Sequence, residues 1–516
     1  MIADEMSGGS DPSASHFATN HLKGDLARRS AKSGVLTLST QALKFVLGIG
    51  SMIVLARLLS PGDYGIVGMV AIVFNFAVMF QYLGLSRGTV QWPELNHRQV
   101  SNLFWVNVSL STGVALLVVG ISPLLASFFG EPRVMPVTIG YALCIFVTGL
   151  WIQHEALLVR QMRFAILTAV DLASLVVGLG VAIVAASRGA GYWALVYNQL
   201  TVTIIRALGF WFACKWRPGL PSRGSGIRPI LSFGGHLTAS NLMNVFSRNL
   251  DNILIGKYWG AQQLGLYSRS YQLLLVPLEQ ILEPIAAVAI PALSRLSEES
   301  DKYTRAYLSI IEKIAMITMP GITLICATSD WLVLILLGPQ WAESGQIFMF
   351  LGIAAVVQPV TRTCPWLLST QGRTRELFIW SLIAAAISVT SICIGLAWGA
   401  IGVAASYAIF DFCLYTPLVF WYTGRKGPVR TRDFYKILAP STCASIGSLT
   451  VLLIARPWLS TMNPLVIRVV IAFVLMIATS AVVFLLIPKG REALQGFKDL
   501  IVLIIKPRRS GASHAE

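Results

Sequence analysis

The sequence predicts an all-α membrane protein of about fourteen transmembrane helices, arranged as two pseudo-symmetric six-helix bundles around a central cavity, with two further helices at the C-terminal end. Three observations predict it. First, of 516 residues 55% are hydrophobic and only 12% are charged, against roughly 25% charged in soluble domains. Second, the apolar residues come in blocks of twenty or more, the length of helix that crosses a hydrocarbon core about 30 Å thick. Third, lysine and arginine gather on alternate connections between those blocks. With Lys+Arg 40 and Asp+Glu 24, the net charge is +16, which in such a chain reflects topology and anionic headgroups; no nucleic acid is expected as a partner. This composition excludes a soluble enzyme, a secreted disulfide scaffold and a single-pass receptor.

Along the chain, residues 1–33 form a polar cytoplasmic tail ending in Lys23, Arg28, Arg29 and Lys32. No short apolar core with a small-residue cleavage site follows, so a removable signal peptide is not expected. Six spans, near 34–59, 62–85, 100–128, 134–157, 163–187 and 190–213, make an N-lobe over 34–214. A basic cytoplasmic linker, 215–229, leads to a C-lobe over 230–424 with spans near 231–258, 261–290, 305–328, 342–368, 376–398 and 400–423. Spans near 434–455 and 464–487 fill 425–488, and 489–516 is a second cytoplasmic tail. Connections such as Ser60-Pro61-Gly62-Asp63 are too short for anything but antiparallel neighbours. Strands are not expected, since a spanning barrel alternates in segments of about ten residues.

The basic residues check this layout. With the N-terminus cytoplasmic, 29 lysines and arginines fall on that side and only Arg57, Arg133, Arg188, Lys257 and Arg456 on the other. Both termini are therefore expected in the cytoplasm. A weak repeat runs beneath: Arg57-Leu58-Leu59 through Tyr64-Gly65-Ile66 realigns with Lys257-Tyr258-Trp259 through Leu264-Gly265-Leu266, and Gly189-Ala190 with Tyr197 echoes Gly399-Ala400 with Tyr407. Six helices per copy is an even number, so the repeat is parallel, about an axis along the membrane normal.

Charge at membrane depth costs at least ~2.5–3.5 kcal/mol and calls for a cavity or a partner. In the seventh span Asn241, Asn244, Arg248 and Asp251 step by three, four and three, which places them on one helical face. The repeat carries that face back onto Gln41, Lys44, Gly48 and Ser51 of the first span. Two wet stripes lining a water-filled cleft are the simplest geometry. At about 1.5 Å per residue, Arg248 lies about 24 Å from the cytoplasmic end of its span, Lys44 about 15 Å in, and Arg269 about 12 Å from the opposite end. Arg206 is deep on the sixth span. Asp171 and Asp411 are buried carboxylates, each able to bond a neighbouring helix or to carry a coupling ion. The bland alternative for Arg248 and Asp251 is a mutually neutralising pair that fixes packing.

Catalysis has no support. There is no phosphate-binding GxxxxGK[ST], no HExxH and no GxSxG, and the six histidines are dispersed. His154 beside Glu155 reads as an interface residue. Seven cysteines stand singly, with no CxxC pair; they read as small core residues. No metal and no cofactor are expected.

The phrases Leu55-Ala56-Arg57-Leu58-Leu59-Ser60-Pro61-Gly62-Asp63-Tyr64-Gly65, then Pro93-Glu94-Leu95 to Leu103-Phe104-Trp105, resemble the opening of bacterial polysaccharide-transport flippases. Arg248 through Gly256 with Leu264-Gly265-Leu266-Tyr267-Ser268 is similar to the start of their second half. The likeness is to Wzx-type, colanic-acid-exporter-like members of the multidrug/oligosaccharidyl-lipid/polysaccharide superfamily. It implies two bundles opening alternately to the two faces of the bacterial inner membrane, and a substrate that is a polyprenyl-diphosphate-linked oligosaccharide. It also brings in a glycan polymerase and glycosyltransferases as candidate partners. The diphosphate and sugars would then meet Lys44, Arg248, Arg269 and Arg206, with Gln41, Asn241 and Asn244. Asp251, Asp411 and Asp171 are the candidate coupling carboxylates. Three alternatives stay open: a peptidoglycan-precursor flippase, a cation-coupled drug exporter, which would want an acidic cavity, and an integral-membrane polymerase or ligase, which would want a large extramembrane loop.

Overall fold

The computed structural model describes residues 26–81, 87–92, 95–222, 228–492 and 495, with side chains from Gln41 onward except Ala42, Phe80, 82–87, Gln91, 93–94, 223–248 and Val276. Every regular element among them is helical: α1 (Leu26–Leu58), α2 (Pro61–Gln81), α3 (Arg87–Gln91), α4 (His97–Phe129), α5 (Val134–Arg160), α6 (Phe164–Ser187), α7 (Trp193–Ala213), α8 (Arg228–Arg295) and α9 (Ser300–Ala327). Next come α10 (Ser329–Leu336), α11 (Ser344–Ala355), α12 (Gln358–Thr361), α13 (Cys364–Thr370), α14 (Thr374–Gly395), α15 (Gly399–Phe410), α16 (Thr416–Gly424), α17 (Thr431–Ser460) and α18 (Leu465–Leu486). The protein is an all-α, multi-pass membrane protein.

Nine stretches among the described residues are long and apolar enough to cross a bilayer, or ten if Ser344–Ala355 and Gln358–Thr370, bent by 46°, form one span. Fourteen remains the count read from the sequence. Two of the nine, Asn249–Arg295 and Thr374–Gly424, run 47 and 51 residues, and each breaks at a glycine in a left-handed conformation, Gly260 at φ 75° and Gly399 at φ 73°. Outward faces are hydrocarbon-like. On α18, Val470, Val474, Ile477 and Leu485 are all about half exposed, tolerable only where the solvent is lipid.

Turns follow local chemistry. Before α2, the Ser60 hydroxyl accepts from the Asp63 N–H at 3.2 Å while the Asp63 carboxylate accepts from the Ser60 N–H at 3.0 Å. This reciprocal cap satisfies two donors that the helix start would orphan, and Pro61 has no N–H to lose there. Asn96 and Gln99 cap α4 in the same way, and Gly130 at φ 67° ends it.

By packing, the chain divides into units Met1–Gly265 and Leu266–Glu516. In the first, α1 lies on α6, α6 on α7, α4 on α5, and α5 on both α2 and α7. Its largest aromatic core gathers Phe104, Trp151, Phe210 and Trp216. Bare glycines let helices approach: a Cβ on Gly149 would stand 2.5 Å from the Ser111 side chain, and one on Gly209 2.6 Å from Val170, the small-residue packing of membrane interiors. Residues 214–222, the start of the expected linker, are laid along α4. The Trp105 indole donates to the Gly219 carbonyl at 2.8 Å, and Asn102 exchanges bonds of 2.5 and 2.8 Å with the Ser222 backbone.

In the second unit α17 packs on α9 and α18, and α15 on α11 and α14. Tyr303, Tyr307, Trp380, Phe420 and Phe434 form its core. The two buried phenols are satisfied by hydroxyl partners, Thr370 at 2.7 Å and Thr363 at 2.9 Å, as buried polar groups must be. Arg456 bonds Asp330 at 2.8 Å, and both it and Arg468 lie over Trp331.

Candidate functional site

Three helices of the first unit bring three predicted site residues together. Asp171 lies one and a half to two turns inside α6, and Arg206 as far from the end of α7; at 1.5 Å per residue that is about 10 Å from the helix ends for both. Neighbouring antiparallel helices thus set the two charges at one level. Lys44 reaches them from α1. Its Nζ donates to Asp171 Oδ2 at 2.5 Å, and Arg206 Nε stands 3.1 Å from Asp171 Oδ1. The two contacts differ in kind. The Lys44 contact is a charge-assisted hydrogen bond, whereas the Arg206 N–H finds no acceptor in good alignment and its contact is ionic only. The guanidinium also sits 6.0 Å from the centre of the Trp151 ring, within the range of a cation–π contact.

Sequence reasoning missed two members of this cluster. Glu155 on α5 is within electrostatic reach of Asp171, Arg206 and Lys44 together, and Trp151 lies one turn before it. Depth gave no signal for Glu155, because it lies close to the inner end of the span read at 134–157. Beside it His154 is wholly buried among Phe104, Trp211 and Trp216, with ring centroids 4.5–5.9 Å away. It is thus a buried packing residue rather than the interface residue the sequence suggested.

The other predicted residues are distributed as follows. Gln41 is exposed on α1. Asp251 on α8 is buried, and its Oδ1 accepts from the Asn252 N–H at 2.8 Å. Asn241, Asn244 and Arg248 fall in α8, but their side chains lie outside the described residues. Arg269 belongs to the second unit, where its guanidinium donates to Gln272 at 2.6 Å.

Asp411, also in the second unit, is 6% exposed and opens a π-helical turn, Asp411–Tyr415. Its Oδ2 has no hydrogen-bond partner among the described residues. Arg362 is the cation acting on it and itself lies 3.5 Å from Glu279. Arg362 directly follows α12, at the bend between α11 and α13. Backbone irregularity at membrane depth is tolerated only where protein or water lines it. Pro359 was the sequence signal for that break. Among the described residues no three His, Cys, Asp or Glu side chains gather as a metal site.

Residues 54–346, more than half of the chain, match the family model described as polysaccharide biosynthesis protein. The chain belongs to that family. Within this polysaccharide biosynthesis family it is similar to the succinoglycan biosynthesis transport protein ExoT of Rhizobium meliloti (strain 1021), 24% identical over 92% of this chain and 95% of that one. It is also similar to the lipopolysaccharide biosynthesis protein WzxC of Escherichia coli (strain K12), 24% identical over 70% of this chain and 74% of that one. Against the teichuronic acid biosynthesis protein TuaB of Bacillus subtilis (strain 168) the identity is again 24%, over 59% of this chain, and the chain spans 64% of that relative's length. Among solved structures, the lipid II flippase MurJ in an inward closed conformation superposes with a TM-score of 0.67 at 13% identity, covering 87% of this chain and 99% of that one. An inward-facing multidrug resistance MATE family transporter of the MOP superfamily gives 0.58 at 14% identity over 73% and 93%. At such identities these two likenesses establish the fold, and it is the fold of the superfamily that the sequence resembled.

Proposed function

We propose that this chain turns a polyprenyl-diphosphate-linked oligosaccharide from the cytoplasmic to the periplasmic leaflet of a bacterial inner membrane, for surface polysaccharide synthesis. On this reading it is a transporter rather than an enzyme, with both termini in the cytoplasm and access alternating between the two faces. A diphosphate and its hydroxyls cannot enter hydrocarbon unaided, because each unpaired polar group costs several kcal/mol there. A partly accessible pair of cations at membrane depth removes that cost for the head group, while the polyprenyl tail stays in lipid.

The observation that carries this reading is the meeting of Lys44 and Arg206, from separate helices, on one side of a single unit. Their convergence on one carboxylate within one packing unit of a polysaccharide biosynthesis family member supports a head-group site. The relatives' printed roles in glycan biosynthesis and transport point the same way.

The experiment replaces Lys44 and Arg206 with glutamine, singly and together, in cells that need this protein for a surface glycan. The expected result is loss of the surface polymer with accumulation of lipid-linked precursor in the membrane, at unchanged protein level. Normal export by the K44Q/R206Q double variant overturns the reading. Rescue of a strain lacking its peptidoglycan-precursor flippase would instead identify lipid II as the cargo.

A further inference from the structure

We propose that Lys44 and Arg206 form an anion site which the protein keeps filled with its own carboxylate, Asp171, and that the diphosphate of the cargo enters by displacing it. This rests on the transport reading above and adds how the site is occupied at rest and how it lets go.

The geometry is that of an anion site already in use. Both oxygens of one carboxylate are engaged by different cations, Oδ2 by Lys44 at 2.5 Å and Oδ1 by Arg206 at 3.1 Å. A pair serving packing alone needs one cation per carboxylate; here two cations converge on one. A diphosphate presents the same two-point bite with more oxygens and at least one more negative charge, so it competes for both cations at once. The resident contact is also incomplete, since Arg206 makes an ionic contact there without an aligned hydrogen bond. None of the three is sealed in the core: the side chains of Lys44, Asp171 and Arg206 are 35%, 19% and 29% exposed.

Release follows from the fourth charge. Glu155 is within electrostatic reach of all three groups. While Asp171 is bound between the cations, its charge is compensated by both of them. Once a phosphate holds Lys44 and Arg206, Asp171 stays tethered beside the cations it has lost, with the Glu155 carboxyl nearby, and competes to regain them. The site thus binds an anion and carries the means to expel it. Asp171 and Glu155 are positioning residues here, acting on the cargo through Lys44 and Arg206.

The test uses the full chain purified in detergent, with inorganic pyrophosphate as the probe and calorimetric titration as the readout. Asp171→Asn is expected to bind pyrophosphate about tenfold more tightly than the parent, the scale of a typical coupling between sites, and Asp171→Glu to restore the parent affinity. In a Lys44→Gln/Arg206→Gln background the gain from Asp171→Asn should fall below about twofold, because the two effects are coupled through the same atoms. Glu155→Gln, which keeps the triad, should slow pyrophosphate dissociation severalfold, and this arm holds even if Asp171→Asn fails to fold. Asp171→Asn within about twofold of the parent overturns the proposal. So does an equal gain in the cation-free background, or an unchanged dissociation rate in Glu155→Gln. Absence of pyrophosphate binding in every protein also overturns it, while the transport reading then stands or falls on the export assay.

Discussion

Gly65 and Gly265 are packed reciprocally, each against the chain that carries the other. A Cβ on Gly65 would stand 1.7 Å from the Ala261 carbonyl oxygen, and one on Gly265 1.8 Å from that of Pro61. The four positions form two pairs with the same offset, 61 with 261 and 65 with 265, which is the offset of the weak sequence repeat. A repeat seen only as scattered matches in the sequence is thus a local two-fold contact in the first packing unit. The stretch just before Gly265 is thereby tied to α2 by backbone-to-backbone approach.

From this contact, Gly65→Ala and Gly265→Ala should harm the protein alike. Neither carbonyl is the far end of a flexible side chain, so the backbone itself must move, and overpacking of this kind costs about 1–3 kcal/mol or more. Thermal unfolding in detergent should show comparable losses for both. A double variant should lose less than the sum, since one separation of the helices relieves both clashes.

The segment 215–229 reads as linker from its basic, proline-containing composition, and side chains of α4 hold its first part as far as Ser222. Asn102→Ala removes both bonds to the Ser222 backbone and leaves a donor and an acceptor to find water, at about 1–3 kcal/mol where they are buried. The global fold should survive. Trypsin should cleave after Lys215 faster in the variant, the Arg217–Pro218 bond being resistant to it, and an unchanged digestion rate would show that the strap holds without Asn102.

The helix-forming blocks, the depth of the charged residues and the repeat were all legible in the sequence, because hydrocarbon imposes length and composition directly. What each charge touches was not. Lys44 and Asp171 are separated by 127 positions, and nothing in spacing along either helix says that they meet. Glu155 falls at the inner end of the span read at 134–157, where depth does not set it apart, and only the packing of α5, which continues to Arg160, brings it near the cluster. Arg362 is a second case: its neighbour Pro359 marks the bend, but nothing in spacing says that Arg362 meets Glu279.

Outside the spans, the turn after α4 carries a pH-sensitive pair. Arg133 donates twice to the Glu131 carboxylate, at 2.8 Å each, and holds that carboxyl below its ordinary range, while the same bond raises Arg133. A carboxyl lowered in the folded state adds stability above the ordinary carboxylate range, and that stability is lost as pH falls through the lowered value. Arg133 is 54% exposed, so solvent and salt screening keep the effect at about 0.2–1 kcal/mol. The melting temperature of Glu131→Gln should sit slightly below the parent at pH 7 and converge with it in acid. A gap that persists at pH 3 would mean the side chain acts by packing.

Arg362 and Asp411 yield the strongest stability prediction in the second unit. Asp411 is buried at a π-helical turn, and Arg362 is the cation that acts on it from beyond the bend in the preceding span. Arg362→Gln should destabilise the protein by about 2 kcal/mol, less than the ~3–5 kcal/mol of a fully buried broken pair because Arg362 keeps part of its solvent. The loss is the cost of a stranded buried carboxylate, so Asp411→Asn added to Arg362→Gln should recover most of it. Unfolding of the two single variants and the double variant in detergent closes the cycle. If Asp411→Asn restores nothing, Arg362 serves Glu279, 3.5 Å away, and the bend is held by that surface pair instead.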